Sequence, residues 1–163
     1  MRLTATFIVL FLFSTSGAHA DDPSERKSLR GLNGVLVLVE ELQPEVEQNG
    51  LTAIAIRTDV ELKLRQARIP ISDPESIDSP VLHVWVALLS PSDRTLWPYT
   101  VRVELRQSAA LERDPSIIMR LVSTWSSTPS LGIETKQNVR NLRDVVKDQV
   151  DEFINAYLAV NPK

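Results

Sequence analysis

The sequence predicts an α+β fold: a two-layer sandwich whose four-stranded, mainly antiparallel sheet carries two helices on one face, in the order βαβββα. Three observations carry the prediction. Residues 96–108 alternate apolar and polar with the period of a strand. Two longer segments place apolar residues at helical steps of three and four. Between those helices lie three strand-like runs separated by turn-rich connections, which favours an antiparallel meander.

The elements follow in order. Gly34 to Leu42 (GVLVLVEEL) is a continuous aliphatic run and reads as a buried strand. Gln43 to Gly50 is polar, contains Pro44, and reads as a connection. Leu51 to Ile69 reads as a helix with Thr52 as N-cap. Ile56, Val60, Leu64 and Ala67 share its apolar face, Glu61 and Arg65 form an i, i+4 pair, and Pro70 ends it. Ile71 to Pro80 is a Pro- and Asp-rich loop.

Val81 to Leu89 (VLHVWVALL) is the next strand, with Leu82, Val84, Val86 and Leu88 on one face and Val81, His83, Trp85 and Ala87 on the other. Ser90 to Thr95 is a turn. In Leu96 to Ser108, Tyr99, Val101, Val103 and Leu105 alternate with Thr100, Arg102, Glu104 and Arg106, the pattern of a strand with one wet side. Asp114-Pro115 marks a turn, Ile117 to Ser126 a fourth strand, and Ser127 to Gly132 a break. The closing helix spans 138–160: Leu142, Val146, Val150, Phe153 and Tyr157 form its stripe, Asn138 is a candidate cap, and Asn161-Pro162 stops it.

Residues 1–20 read as a cleavable signal peptide. Arg2 supplies the positive start, Thr6 to Phe13 the short apolar run, and Ala18-His19-Ala20 the cleavage pattern. The run is too short to span a bilayer as a helix. Residues 21–33 read as a flexible lead-in and 34–163 as a single α+β domain. The expected location is therefore periplasmic or secreted. No lipid anchor is expected, because no cysteine stands near the cut.

Composition narrows the function. The formal net charge is −3, and the leader carries one of the basic residues. That mild acidity argues against nucleic acid and anionic membranes as partners. The absence of cysteine removes disulfides, thiol nucleophiles and thiolate metal sites.

His83 is the one histidine beyond the leader and sits mid-strand, so a Ser-His-acid hydrolase has little to build on. No glycine-rich phosphate loop is present, and no cofactor or metal is implied. Asp73, Glu75 and Asp78 share a loop, but without a calcium-loop pattern they read as solvated acids. Asp59 with Glu61, and Asp144 with Asp148, are carboxylate pairs; both read as helix surface.

The remaining constellation is the outward sheet face. The alternation places His83, Trp85, Arg102, Glu104, Arg106 and Arg120 there, with Thr124, and Trp97 and Tyr99 near a strand start. An aromatic beside arginines on a sheet suits a carboxylated ligand, a glycan or a partner protein. The plainer reading is a cross-strand charge ladder with an amphipathic Trp lying across it. The leading expectation is a non-enzymatic binding or adaptor domain contacting a protein or cell-envelope component. The alternatives are a carboxylate-based hydrolase of an envelope glycan and a structural homo-oligomer paired through sheet edges.

Two segments, GLTAIAIRTDVELKLRQARI (50–69) and RDVVKDQVDEFINAYLAVNPK (143–163), join GVLVLVEEL and VRVELRQ in a resemblance. Together they resemble a family of uncharacterised exported bacterial proteins, which combine a GLT…TDVEL.LR.AGI helix with a DEFIN.YLAVNPK ending. The resemblance covers most of the chain beyond the leader and implies export without implying an activity. This chain departs from the family at Ala67-Arg68-Ile69, where the family has Ala-Gly-Ile. More distantly, the strand and helix order resembles small protein-binding periplasmic domains of envelope-assembly and secretion proteins.

Overall fold

A computed structural model describes residues 22–73, 79–89 and 95–162. It is an α+β sandwich built on a mixed five-stranded sheet. The strands are β1 (Leu36–Val39), β2 (Val81–Leu88), β3 (Leu96–Leu111), β4 (Asp114–Ser126) and β5 (Ser130–Thr135). The helices are α1 (Pro23–Lys27), α2 (Pro44–Gln48), α3 (Ala53–Gln66) and α4 (Leu142–Val160), the last preceded by a 3-10 turn at Val139–Asn141.

The strands lie in the order β1-β2-β3-β4, and β5 also pairs with β3. β1 and β2 are parallel because α3 carries the chain back between them; the other pairings are antiparallel. β4 and β5 share one edge of β3. β4 runs along its second half and β5 along its first, with Ser127-Thr128-Pro129 between them. The edge was expected to be broken there, and it resumes as a strand. Gly132 reads as a breaker, yet it lies opposite Tyr99, whose ring occupies the space a side chain would need: a Cβ there would sit 2.6 Å from the phenol oxygen. The turn expected at Asp114-Pro115 is formed two residues earlier, at Glu112-Arg113, and Asp114 begins β4.

α3 and α4 pack together against one sheet face. The core joins Ile56, Val60 and Leu64 of α3 and Leu142, Val146, Val150 and Phe153 of α4 to Val37, Leu82, Val84, Val101, Val103, Leu105 and Trp125. Trp125 meets Phe153 edge to face, with ring centroids 5.4 Å apart. Thr52 caps α3 by accepting a hydrogen bond from Ala55 N–H, as its residue type predicts. Asn138 makes no side-chain cap and precedes the 3-10 turn.

α3 ends in a Schellman motif. Ile69 N–H donates to Leu64 C=O and Arg68 N–H to Arg65 C=O. Arg68 consequently takes a φ of 59°, a left-handed conformation that favours glycine. An arginine therefore stands where a glycine would adopt the same backbone without strain.

The segment expected to be a lead-in contributes to the core. Leu29 is buried, Ser28 Oγ donates to Thr124 C=O, and Asn161 Nδ2 donates to Leu29 C=O. The short helix α1 lies against α4 and β4. Beyond Arg106, β3 has no β2 residue beside it, and the β3–β4 pair continues as a two-stranded arm. Asp114 to Leu121 are exposed along it, and Leu121 has a φ of 53° where the register slips. Among the described residues no helix is long and apolar enough to cross a membrane.

Candidate functional site

The outward sheet face was the one surface the sequence offered as a site, and the strand register shows what it assembles. His83 stands opposite Glu104, Trp85 opposite Arg102, and Val81 opposite Arg106. Arg102, Glu104 and Arg106 alternate along β3 and point outward together.

They pair among themselves, two guanidinium groups sharing one carboxylate. Arg106 Nε donates to Glu104 Oε2 at 3.0 Å. Arg102 Nε lies 3.0 Å from Glu104 Oε1, but its N–H is not aimed at that oxygen, so this contact is an ion pair without a formed hydrogen bond. Glu104 is thus held between two guanidinium groups and is itself buried.

His83 corrects the expectation of an open histidine. Its position on the outward face is as predicted, but only 2 % of its surface is accessible. Its neighbours in the flanking strands are Leu38 and Glu104, and Nε2 lies 2.9 Å from Glu40 Oε1. Nδ1 is buried without a partner. Alternation assigns a residue to a face; it does not say how far the long side chains of adjacent strands close over it. Glu104 is sealed for the same reason.

Arg120 is also corrected. It belongs to the projecting arm, beside the left-handed Leu121, and not to the ladder of β3. Two register shifts between Leu105 and Ala109 move it off that row. Thr124 turns inward, where its hydroxyl accepts from Gln107 Nε2. Trp97 is buried, and Tyr99 covers Gly132 on the helix side.

Trp85 is the predicted aromatic that meets solvent, at 39 % exposure. With it come apolar side chains that the sequence reading missed. Leu131 and Ile133 of β5 pair with Thr100 and Pro98, and Leu89 follows β2 alongside Pro98. Leu89, Leu96, Leu131 and Ile133 are each more than half exposed. The open face therefore divides into a charge ladder on β3 beside Trp85 and an aliphatic patch formed by β5 and the neighbouring ends of β2 and β3. Reading 127–132 as a break removed Leu131 from view; its apolar–Gly–apolar alternation with Ile133 was the available signal.

A groove of about 160 Å³ borders Trp85 at the other edge. Trp85, Val86, Ala87 and Leu88 form one wall; Glu40, Glu41, Leu42, Gln43 and Val46 form the other.

The carboxylate pairs on the helices do not converge. Asp59 accepts from Arg143 Nε and Nη2 at 2.7 and 2.8 Å, across the α3–α4 contact. Those hydrogen bonds, with the nearby Lys147 charge, hold its carboxyl below the usual range. Glu61 is held on the flank by Arg57 and Arg65. Asp144 pairs with Lys147 on exposed surface, at 2.9 Å. Among the described residues no group of three or more His, Asp or Glu could hold a metal ion. Glu75 and Asp78 of the acidic loop lie outside the described residues, as does the expected signal peptide.

The polar cluster that sequence reasoning missed altogether is centred on Gln149 of α4. Its Nε2 donates to Val101 C=O and Thr128 C=O, and its Oε1 accepts from Ser127 Oγ at 2.8 Å. Ser127 Oγ in turn accepts from Val103 N–H. One buried amide thus satisfies the backbone where β4 gives way to β5, a structural role.

The chain matches no protein-family model and no curated protein.

Proposed function

We propose that this chain is an exported, non-enzymatic binding domain that contacts a protein or cell-envelope component through the open face of its sheet. The observation that carries the reading is the row Trp85, Leu89, Leu96, Leu131 and Ile133: large apolar side chains gathered on one face and left to solvent. Scattered surface leucines are ordinary, but a contiguous patch beside a polar ladder has the composition of a contact surface. The Arg102–Glu104–Arg106 ladder, two guanidinium groups sharing one carboxylate, supplies a polar rim. Export rests on the leader pattern of residues 1–20 and on the resemblance to exported bacterial proteins.

The test is site-specific photocrosslinking in the exporting cell. A crosslinker at Leu131 should capture a discrete partner, and Trp85→Ala should weaken that capture. A crosslinker at Ile54, exposed on α3, serves as control. Equal capture at both positions, or none at Leu131, overturns the reading.

A further inference from the structure

We propose that the groove beside Trp85 receives a cationic side chain, lysine or arginine, from a partner polypeptide. The inference rests on the binding-face reading and gives it a chemistry. The groove is a walled feature: β2 supplies one side, and the chain leaving β1 supplies the other. Polar and apolar surface share its lining about equally, and the apolar part, with Leu42 and Ala87 partly exposed, suits the aliphatic stem of a long side chain. The charged residues lining it are Glu40 and Glu41, both exposed and both negative.

Glu45 and Glu47 of the adjoining α2 are also exposed and extend the negative field. Two basic side chains stand near. Arg102 is opposite Trp85 and shares the single Glu104 carboxylate with Arg106, so the positive charge it keeps lies on the ladder side of Trp85, away from the groove lining. His83 approaches Glu40 through Nε2 and is buried, so Glu40 keeps an exposed carboxylate side. An indole face beside two carboxylates is a recognised setting for a cation: the ring quadrupole attracts the charge while the carboxylates pair with it. An anionic ligand would meet the same carboxylates unfavourably. The charge pattern therefore selects among partners of the open face, and adjoining aliphatic residues supply contact area.

Trp85 is also the natural reporter, because Trp97 and Trp125 are buried. The experiment titrates the purified protein with tetralysine peptide at low salt and follows the Trp85 indole N–H by NMR, with tetraglutamate as control. Tetralysine should shift that resonance saturably, and raising the salt should weaken the effect. The double variant Glu40→Gln, Glu41→Gln should lower the apparent affinity by about fivefold or more, from two exposed ion pairs. The amide that replaces the Glu40 carboxylate keeps an oxygen to face His83, so the variant should melt like the parent. Trp85→Leu, followed at the Ala87 amide, should lose about two- to fivefold.

No saturable shift at Trp85, an equal response to tetraglutamate, or unchanged affinity in the double amide variant overturns the proposal. The two readings separate in the crosslinking assay. Capture at Leu131 that persists undiminished in the double amide variant leaves the binding face intact and removes the cation from it.

Discussion

The two faces of the sheet come from the same strands and the same alternation, yet they are built on different terms. On the helix side, Leu82, Val84, Val101, Val103 and Leu105 are fully buried beneath α3 and α4. On the open side, Arg102 and Arg106 share the Glu104 carboxylate, His83 is sealed, and Trp85, Leu131 and Ile133 remain in water. Burial on the first face comes from a second layer of structure. Burial on the second comes from long side chains lying across their neighbours. The first should therefore carry the stability, and the second should tolerate change and be available for contact.

The sharpest way to break this contrast is to empty the covered face. Phe153→Ala removes a fully buried ring that packs against Trp125 and Tyr157. It should cost about 3–5 kcal/mol in denaturant unfolding. Next is the buried amide: Gln149→Leu leaves Val101 C=O, Thr128 C=O and the Ser127 hydroxyl without their partner. The expected loss is about 1–3 kcal/mol, and a neutral result would mean that the β4–β5 junction does not depend on α4.

Arg68→Gly should act in the opposite direction. It relieves a left-handed residue at the end of α3, at some cost in unfolded-chain entropy, for a gain of up to about 1 kcal/mol.

A smaller effect belongs to the outer helix surface. The folded pKa of Asp59 is lowered, chiefly by the Arg143 hydrogen bonds. Its contribution to stability is thus present above the unfolded value of about 3.9 and is lost as pH falls through the lower folded value. Asp59→Asn should flatten that acid limb, and the difference at neutral pH should be about 1 kcal/mol or less.

The smallest effect is expected on the open face. Leu131→Ser should change stability by less than about 0.5 kcal/mol while weakening partner capture. A large destabilisation there would erase the distinction between the faces.

The sandwich was legible because its signals are local. The α4 stripe of Leu142, Val146, Val150 and Phe153 repeats at helical spacing, and all four residues are buried. The alternation in β3 correctly divided Val101, Val103 and Leu105 from Arg102, Glu104 and Arg106. β5 escaped because Pro129 and Gly132 read locally as breakers, whereas Pro129 lies just outside the strand and Gly132 fits beneath a distant residue, Tyr99. Arg120 was misplaced because bulges change register without changing composition.

Of the candidate site, Trp85 and the β3 ladder were readable from period alone. Leu131 and Ile133 left only their alternation across Gly132 as a signal, and the Glu40–Glu41 wall left none, since each lies far along the chain from the residues it joins.

The amino-acid sequence by itself determined the two helix stripes, the Thr52 cap and the face to which each β2 and β3 residue belongs. These follow from periodicities and hydrogen bonds confined to a few consecutive residues. Tertiary structure alone decided that His83 and Glu104 are closed off, that Leu29 enters the core, and that Gln149 secures the β4–β5 junction. Those outcomes depend on which side chains from distant segments arrive at the same place, and burial is a property of that whole neighbourhood.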